Sequence, residues 1–323
     1  MTRGLRLIGD LGGTHARFAL AGADGYGLER ELSLETSGYA TAEEAIEDYL
    51  LRVGAEQPFA VCLAVAAPVV SDAVHFPNSH WSLDRRRLAD RFPGAPILLV
   101  NDFTAAAHAI PQLTSQDLVP VGGNGALPDD CDFTVALLGP GTGLGMGGLI
   151  REGGRFHSLS SEGGHSGFAP ETPRQMQVLE HLRQRLGRVS AERLLSGPGI
   201  RNIYRVLQEL EGLSADDRNA AGIFELAAGG EALAVETESL FFEILGQAAG
   251  DLALTIGAFD GVYIGGGIAR RYPERLLASP FRSGFENKGR YRGLMEQVPV
   301  FLITHPSPGL LGASYLARNL KSA

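Results

Sequence analysis

Three glycine-rich turns and a few polar side chains mark where this sequence can do chemistry. In Gly9-Asp10-Leu11-Gly12-Gly13-Thr14, paired glycines let the backbone approach a ligand and turn N–H groups toward it, and the threonine hydroxyl adds a neutral donor. Such a segment serves either as an ordinary hairpin turn or as a phosphate cradle that needs no lysine. Asp10 would repel a phosphate directly, so its use there calls for Mg2+ or a magnesium-bound water in between. Gly139-Pro140-Gly141-Thr142-Gly143-Leu144-Gly145 is a second turn of the same make, and two such loops can hold two ends of one polyphosphate. Gly265-Gly266-Gly267 follows the apolar run Val262-Tyr263-Ile264, where a strand feeds a helix N-terminus. Alone it reads as a cap and turn; beside the other two loops it suits an adenosine pocket.

Asn101-Asp102 stands at the end of an apolar strand and just before a helix, a place where ligands bind in open α/β sheets. Two roles fit Asp102. It can be an N-cap, accepting from the N–H near Ala105, or a general base taking a proton from an incoming hydroxyl. Glu162-Gly163-Gly164-His165 and Glu192 add carboxylates and an imidazole among small residues. A Glu-x-x-His pair on a helix can ligate metal, but the glycines and the flanking Ser160, Ser161 and Ser166 argue against a helix. Carboxylate, imidazole and amide together suit a polyhydroxylated ligand, whose O–H groups each need a fixed partner. His157, His181 and His305 read as surface or packing residues.

Composition narrows the classes. The 323 residues suit two domains. A net charge of −9, from 28 Lys+Arg against 37 Asp+Glu with no basic tract, argues against nucleic-acid or anionic-membrane partners. No signal peptide or membrane span is expected, which places the chain in the cytoplasm. Cys62 and Cys131 are expected to be small buried hydrophobes rather than a disulfide or a metal site. Lysine occurs only at Lys288 and Lys321, and neither has the neighbourhood of a P-loop, a protein-kinase strand or a Schiff base.

The elements that must position these residues alternate. Strands are expected at 5–10, 16–21, 31–35, 59–66 and 97–100, with helices at 41–53, 84–91 and 103–110. Thr41 with Glu44 forms a capping box at the first of these helices. A Pro- and Gly-bearing stretch at 111–128 marks a boundary. Beyond it come a strand at 133–138 and two further short strands. Helices follow near 173–187, 190–195, 199–211 and 232–258, then strands at 262–264 and 298–303 and a closing helix at 310–320. Strands alternating with helices imply an α/β fold. The 7–14 and 137–143 segments share one device, an apolar strand running into a glycine turn and a hydroxyl, which suggests two related halves.

Gly9-Asp10-x-Gly12-Gly13-Thr14-x-Ala16-Arg17 resembles the first phosphate motif of the actin–hexokinase–Hsp70 ATPase superfamily. The 139–145 turn resembles its second phosphate motif, and Gly265-Gly266-Gly267-Ile268 its adenosine motif. Within that superfamily, residues of about 5–316 are similar to the bacterial glucokinase family. The similarity is carried by Ala67-Pro68-Val69, Asn78-x-x-Trp81, Asn101-Asp102-Phe103-x-Ala105, Glu162-Gly163-Gly164-His165 and, most specifically, Val189-Ser190-Ala191-Glu192-Arg193-Leu194-Leu195-Ser196-Gly197-Pro198-Gly199. The resemblance implies a two-domain actin-like (ribonuclease H-like) fold with a ligand cleft between a small domain, 1–112 plus about 304–323, and a large one, 113–303. It implies ATP-dependent phosphorylation of the 6-hydroxyl of D-glucose, with Asp102 as base and Asn101, Glu162, His165 and Glu192 holding sugar hydroxyls. ATP would meet Gly9, Asp10, Leu11, Gly12, Gly13, Thr14, Gly141, Thr142, Gly143 and Gly266, with Mg2+ reached from Asp10 only through water. A homodimer is implied as well.

Two departures stand out. His15 takes the place of the family's asparagine, and 167–180 lacks the cysteines of the related ROK zinc motif, so no structural zinc is expected. The alternatives are a kinase for another hexose, a non-kinase ATPase of the superfamily, or a repressor. A repressor needs a helix-turn-helix, for which the sequence before residue 5 leaves no room.

Overall fold

Side chains of the first strand alternate between two buried faces. In β1 (Arg6–Leu11), Leu7 and Leu11 join one apolar cluster and Ile8 joins another, so both faces of this sheet are covered. The computed structural model describes residues 5–22, 27–55, 57–77, 79–125 and 131–320; Asn78 and Lys321 lie outside them. The chain divides into two compact units, 1–114 with 305–323, and 115–304.

In the first unit β1 is followed by β2 (His15–Ala21), β3 (Leu28–Glu35), α1 (Ala42–Val53), β4 (Ala60–Val65), the short strands β5 (Ala73–His75) and β6 (Ser82–Asp84), α2 (Arg85–Arg91), β7 (Ile97–Asn101) and α3 (Asp102–Ala109). Among the described residues the main sheet has the order β3-β2-β1-β4-β7. β1, β4 and β7 run parallel, and their registers place Leu11, Val65 and Asn101 in one row. Thr41 caps α1, its hydroxyl accepting from Glu44 N–H at 3.2 Å. The Glu44 carboxylate reaches back to Ala40 N–H at 2.9 Å. Leu7, Phe18, Tyr49 and Trp81 fill one face, with Trp81 Nε1–H donating to Tyr39 carbonyl at 3.1 Å. The other face, built on Ile8, Cys62 and Ala64, is covered by Ala105 of α3 and by Leu310, Ala313 and Ala317 of the C-terminal helix, Pro308–Ala317.

The second unit opens with β8 (Leu118–Gly122), β9 (Phe133–Pro140), β10 (Leu144–Glu152) and β11 (Arg155–Ser161). It continues with α4 (Pro173–Leu186), α5 (Gly197–Leu210), α6 (Ala220–Ala228), α7 (Ala232–Ile256) and β12 (Gly261–Ile264). Short helices α8 (Gly267–Arg271), α9 (Pro273–Ala278), α10 (Phe281–Glu286) and α11 (Arg292–Met295) precede β13 (Val300–Ile303); the C-terminal helix is α12. The described strands form one mixed sheet of order β11-β10-β9-β12-β13-β8. Its core runs from Ala136 and Leu138 through Ile200 and Leu207 to Phe241, Phe242 and Phe285. By length and composition α7 could cross a membrane, with mean hydropathy 1.2 over its best window, yet it packs on α5, α6 and α10 and supplies core residues such as Phe241, Leu245 and Ala249.

Two expectations are corrected. The segment 190–195 is a single 3-10 turn, Ala191–Arg193, because Ala191 N–H is taken by Ser166 carbonyl at 2.9 Å and Ser190 bridges Gly167. Cys131 is exposed; it lies between Asp130 and Asp132 rather than in the apolar strand that follows. Cys62 is buried, and desolvation pushes its thiol up to about 12.

Candidate active site

The first glycine turn is held from behind. Gly12 N–H donates to His15 carbonyl at 2.9 Å, and the carbonyls of Thr14 and Gly13 accept from Thr36 N–H at 3.0 Å and Thr36 Oγ1 at 2.9 Å. With those carbonyls tied back to Thr36, the turn is fixed at the carboxyl end of β1. His15 is exposed beside it. Asp10 lies 3.8 Å from Arg17 Nη1 and directly against Gly309, where a Cβ would come within 2.8 Å of the carboxylate. The first turn of α12 therefore meets an anion, as the helix dipole favours.

Asn101 and Asp102 sit at the same sheet edge. Two strand spacings, roughly 10 Å, separate the row position of Leu11 from that of Asn101. The cap of α3 is Asn101 rather than Asp102: its Oδ1 accepts from Phe103 N–H at 2.9 Å and Thr104 N–H at 3.2 Å, and its Nδ2 donates to Ala67 carbonyl at 3.4 Å. Asp102 is the first helical residue, with Oδ1 2.9 Å from Phe103 N. Phe103 N–H is thus shared between the two side chains, and Thr104 N–H goes to Asn101.

In the second unit β9 and β10 form a hairpin with Pro140 opposite Leu144. Its turn closes through Gly141 N–H to Gly143 carbonyl at 2.8 Å and is pinned by Gly197 N–H, at the start of α5, to Gly141 carbonyl at 2.9 Å. Gly266 has φ +80, and a Cβ there would stand 2.3 Å from Pro140 carbonyl. Only glycine fits, on both counts. The Gly141-Thr142-Gly143 turn, the Gly266 turn and the α5 N-terminus are in this way brought onto one strand end.

The third group is stitched to the second. Glu162 leads into a 3-10 turn, Gly163–His165. Gly164 lies so close to β10 that a Cβ would be 2.1 Å from Leu144 carbonyl. Glu192 Oε2 accepts from Leu144 N–H at 3.0 Å, and Oε1 is 3.8 Å from His165 Nδ1. Arg188 donates to His165 carbonyl at 2.7 Å. Glu162 and His165 are exposed and Glu192 half-buried. One carboxylate thus touches both the end of the 141–143 turn and the imidazole of the Glu162–His165 turn. Sequence reasoning missed the Leu144 N–H, Gly197 and Arg188. The 189–199 stretch was the available signal, but it revealed resemblance rather than contacts.

The structure therefore gathers the candidates in two sets: Gly9 to Thr14 with Asn101 and Asp102 in the first unit, and Gly141 to Gly143, Gly266, Glu162, His165 and Glu192 in the second. Lys288 is structural, pairing with Glu171 at 3.0 Å and Asp251 at 2.8 Å. No cluster of three metal-ligating side chains occurs among the described residues.

A family model described as Glucokinase matches residues 7–320. The chain belongs to the glucokinase family. A glucokinase of Caulobacter sp. strain K31 is 44% identical over 315 residues, spanning 96% of this chain and 94% of the relative. The crystal structure of a glucokinase from an Antarctic psychrotroph superposes with a TM-score of 0.86 at 36% identity, covering 98% of this chain and 99% of that one. A glucokinase of Balamuthia mandrillaris, solved in complex with glucose, shares the fold at 22% identity and a TM-score of 0.83. The glucokinase assignment makes the chain a sugar kinase of the two-domain actin-like fold.

Proposed function

We propose that this glucokinase-family chain phosphorylates the 6-hydroxyl of D-glucose from ATP with Asp102 as general base, giving glucose 6-phosphate and ADP. Asp102 accepts the hydroxyl proton as the oxygen attacks the γ-phosphorus in line. The observation that carries this reading is the Leu11–Val65–Asn101 row. It sets the glycine turn and the carboxylate at one sheet edge, and the Asn101 cap holds the base at the start of α3.

Backbone N–H groups of the 9–14 and 141–143 turns other than Gly12 and Gly141, which close the turns themselves, bind the phosphates, preorganised donors doing the work that lysine does elsewhere. Gly266 admits the adenosine side of the nucleotide. Glu162, His165 and Glu192 orient the sugar, and Asn101 Nδ2 adds a donor. Asp10, a single partly exposed carboxylate beside the turn, fits Mg2+, which binds through one or two carboxylates plus phosphate and keeps its waters. When bound, the ion would neutralise phosphate charge. The homodimer and the cytoplasmic location belong to the same reading by family likeness.

A coupled assay across glucose, mannose and fructose, with ATP, ADP and polyphosphate as donors, tests it. Glucose with ATP should give the highest kcat/KM. ATP hydrolysis that no hexose stimulates would replace the kinase with a non-kinase ATPase.

A further inference from the structure

Sequence neighbours of the proposed sugar ligands line a mostly apolar cavity of about 280 Å3 within the second unit. Ser161, Gly163, Ser166 and Ala191 contribute from the turns that carry Glu162, His165 and Glu192, and Ile244 and Gln247 contribute from α7. An apolar cavity of ~150 Å3 already accommodates benzene, so this one has room for a bicyclic molecule. Gln247 is the polar anomaly in the wall. It is only 4% exposed, and its Oε1 is buried with no hydrogen-bond partner among the described residues. Buried amides are ordinarily paired, because leaving one unpaired forfeits its hydration. A half-turn of the terminal amide exchanges its two ends, so the unpaired position is an acceptor in one setting and a donor in the other, and a ligand carrying both C=O and N–H can meet it in either. The charge at the rim, Asp251, is paired with Lys288 at 2.8 Å, which favours a neutral occupant.

We propose that this cavity is an effector site for a small, neutral, mostly apolar molecule bearing an adjacent N–H and C=O, such as a lactam or an aromatic amide. The consequence for catalysis rests on the sugar-binding reading above: an occupant packs under residues 161–167, holds the Glu162–His165 turn in place and lowers the glucose KM without changing kcat.

The test uses the full chain and two probes of nearly equal shape, 2-quinolinone, which carries N–H and C=O, and quinoline, which has no donor. Calorimetric titration should show 2-quinolinone binding one to one and at least tenfold tighter than quinoline. Gln247→Leu should erase that preference while melting no lower than the parent, since it removes an unpaired polar group. Ala248→Phe, which fills the cavity from α7, should abolish binding of both probes. Saturating 2-quinolinone should lower the glucose KM at least threefold. Equal affinity for the two probes overturns the site, as does undiminished binding to Ala248→Phe. A soaked crystal with only ordered water at Gln247, or with a second copy of the chain seated over the mouth, overturns it too. Selective binding with an unmoved glucose KM overturns the effector role. Absence of any glucose phosphorylation refutes the sugar reading instead, and the titration still reports on the cavity.

Discussion

Gly143→Ala should damage glucose binding although the residue belongs to the nucleotide turn. A Cβ at position 143 would stand 2.5 Å from Glu192 Oε2 and 3.4 Å from its Cδ. Ordinary contact begins near ~3.5 Å, so the carboxylate must retreat by roughly 1 Å. Its bond from Leu144 N–H, 3.0 Å in the parent, then stretches past hydrogen-bonding range. A charge-assisted bond contributes about 1.5–3 kcal/mol, and if that falls on the orientation of Glu192 toward the sugar, the glucose KM rises roughly 10- to 100-fold. Gly141→Ala is the matched control. Nothing lies within 4 Å of a Cβ at 141, and neither glycine has a left-handed φ, so neither variant forces a side chain into that region. Steady-state kinetics with glucose varied at saturating ATP, plus thermal melts to confirm folding, read the difference. A folded Gly143→Ala enzyme with a glucose KM within twofold of the parent refutes the link through Glu192, and so does an equal rise in Gly141→Ala.

Asp102→Asn should retain glucose binding by calorimetry and lose about 10²–10⁴ in turnover, the weight of a general base; near-native kcat removes it from that role. Asn101→Ala strips the cap from Phe103 and Thr104 N–H and should lower stability by about 1 kcal/mol in urea titration, whereas Asn101→Asp, which keeps a capping oxygen, should restore most of it. His108, stacked on Tyr315, has its ring pushed down to about 4 by burial. The unfolded chain takes up that proton near ~6.5, so the stabilisation is full above 6.5 and is lost as pH falls from there toward 4, by up to about 3 kcal/mol. His108→Phe should flatten that slope in urea titrations at pH 7.5 and 5; an unchanged slope would assign it to other groups.

What the sequence disclosed was local. The Gly12-Gly13 and Gly141 to Gly143 turns are legible because each stands between two apolar runs, whereas the paired Gly147-Gly148 lies inside β10. The Thr41–Glu44 box marked the start of α1, and the helix expected near 232–258 is α7, which ends at Ile256 before Gly257 in left-handed φ. Failures came where distant residues decide. Residues 190–195 carry helix formers, yet Ser166 and Gly167, more than twenty residues earlier, capture that backbone and leave one 3-10 turn. Between Asn101 and Asp102, side chains of similar reach, the sequence favoured the carboxylate as cap, and only the backbone geometry assigned the role to the amide. The Glu192 bond to Leu144 N–H joins residues 48 apart in sequence, and no periodicity encodes it. β5 and β6, three residues each, are too short to show alternation, and β8 lies in the Pro- and Gly-bearing stretch read as a boundary.

The dependence of the first unit on α12 has a consequence for biosynthesis. Ile8, Cys62 and Ala64 find their cover in Leu310, Ala313 and Ala317, and Asp10 finds its neighbour in Gly309. A ribosome has released some three hundred residues before that lid exists, while everything the intervening unit needs has already emerged. The inserted half can thus mature first, and the half bearing the phosphate turn waits, one apolar face bare, for the final helix. A nascent chain stalled short of residue 308 would hold a finished second unit and an unfinished first one, a state suited to chaperone capture.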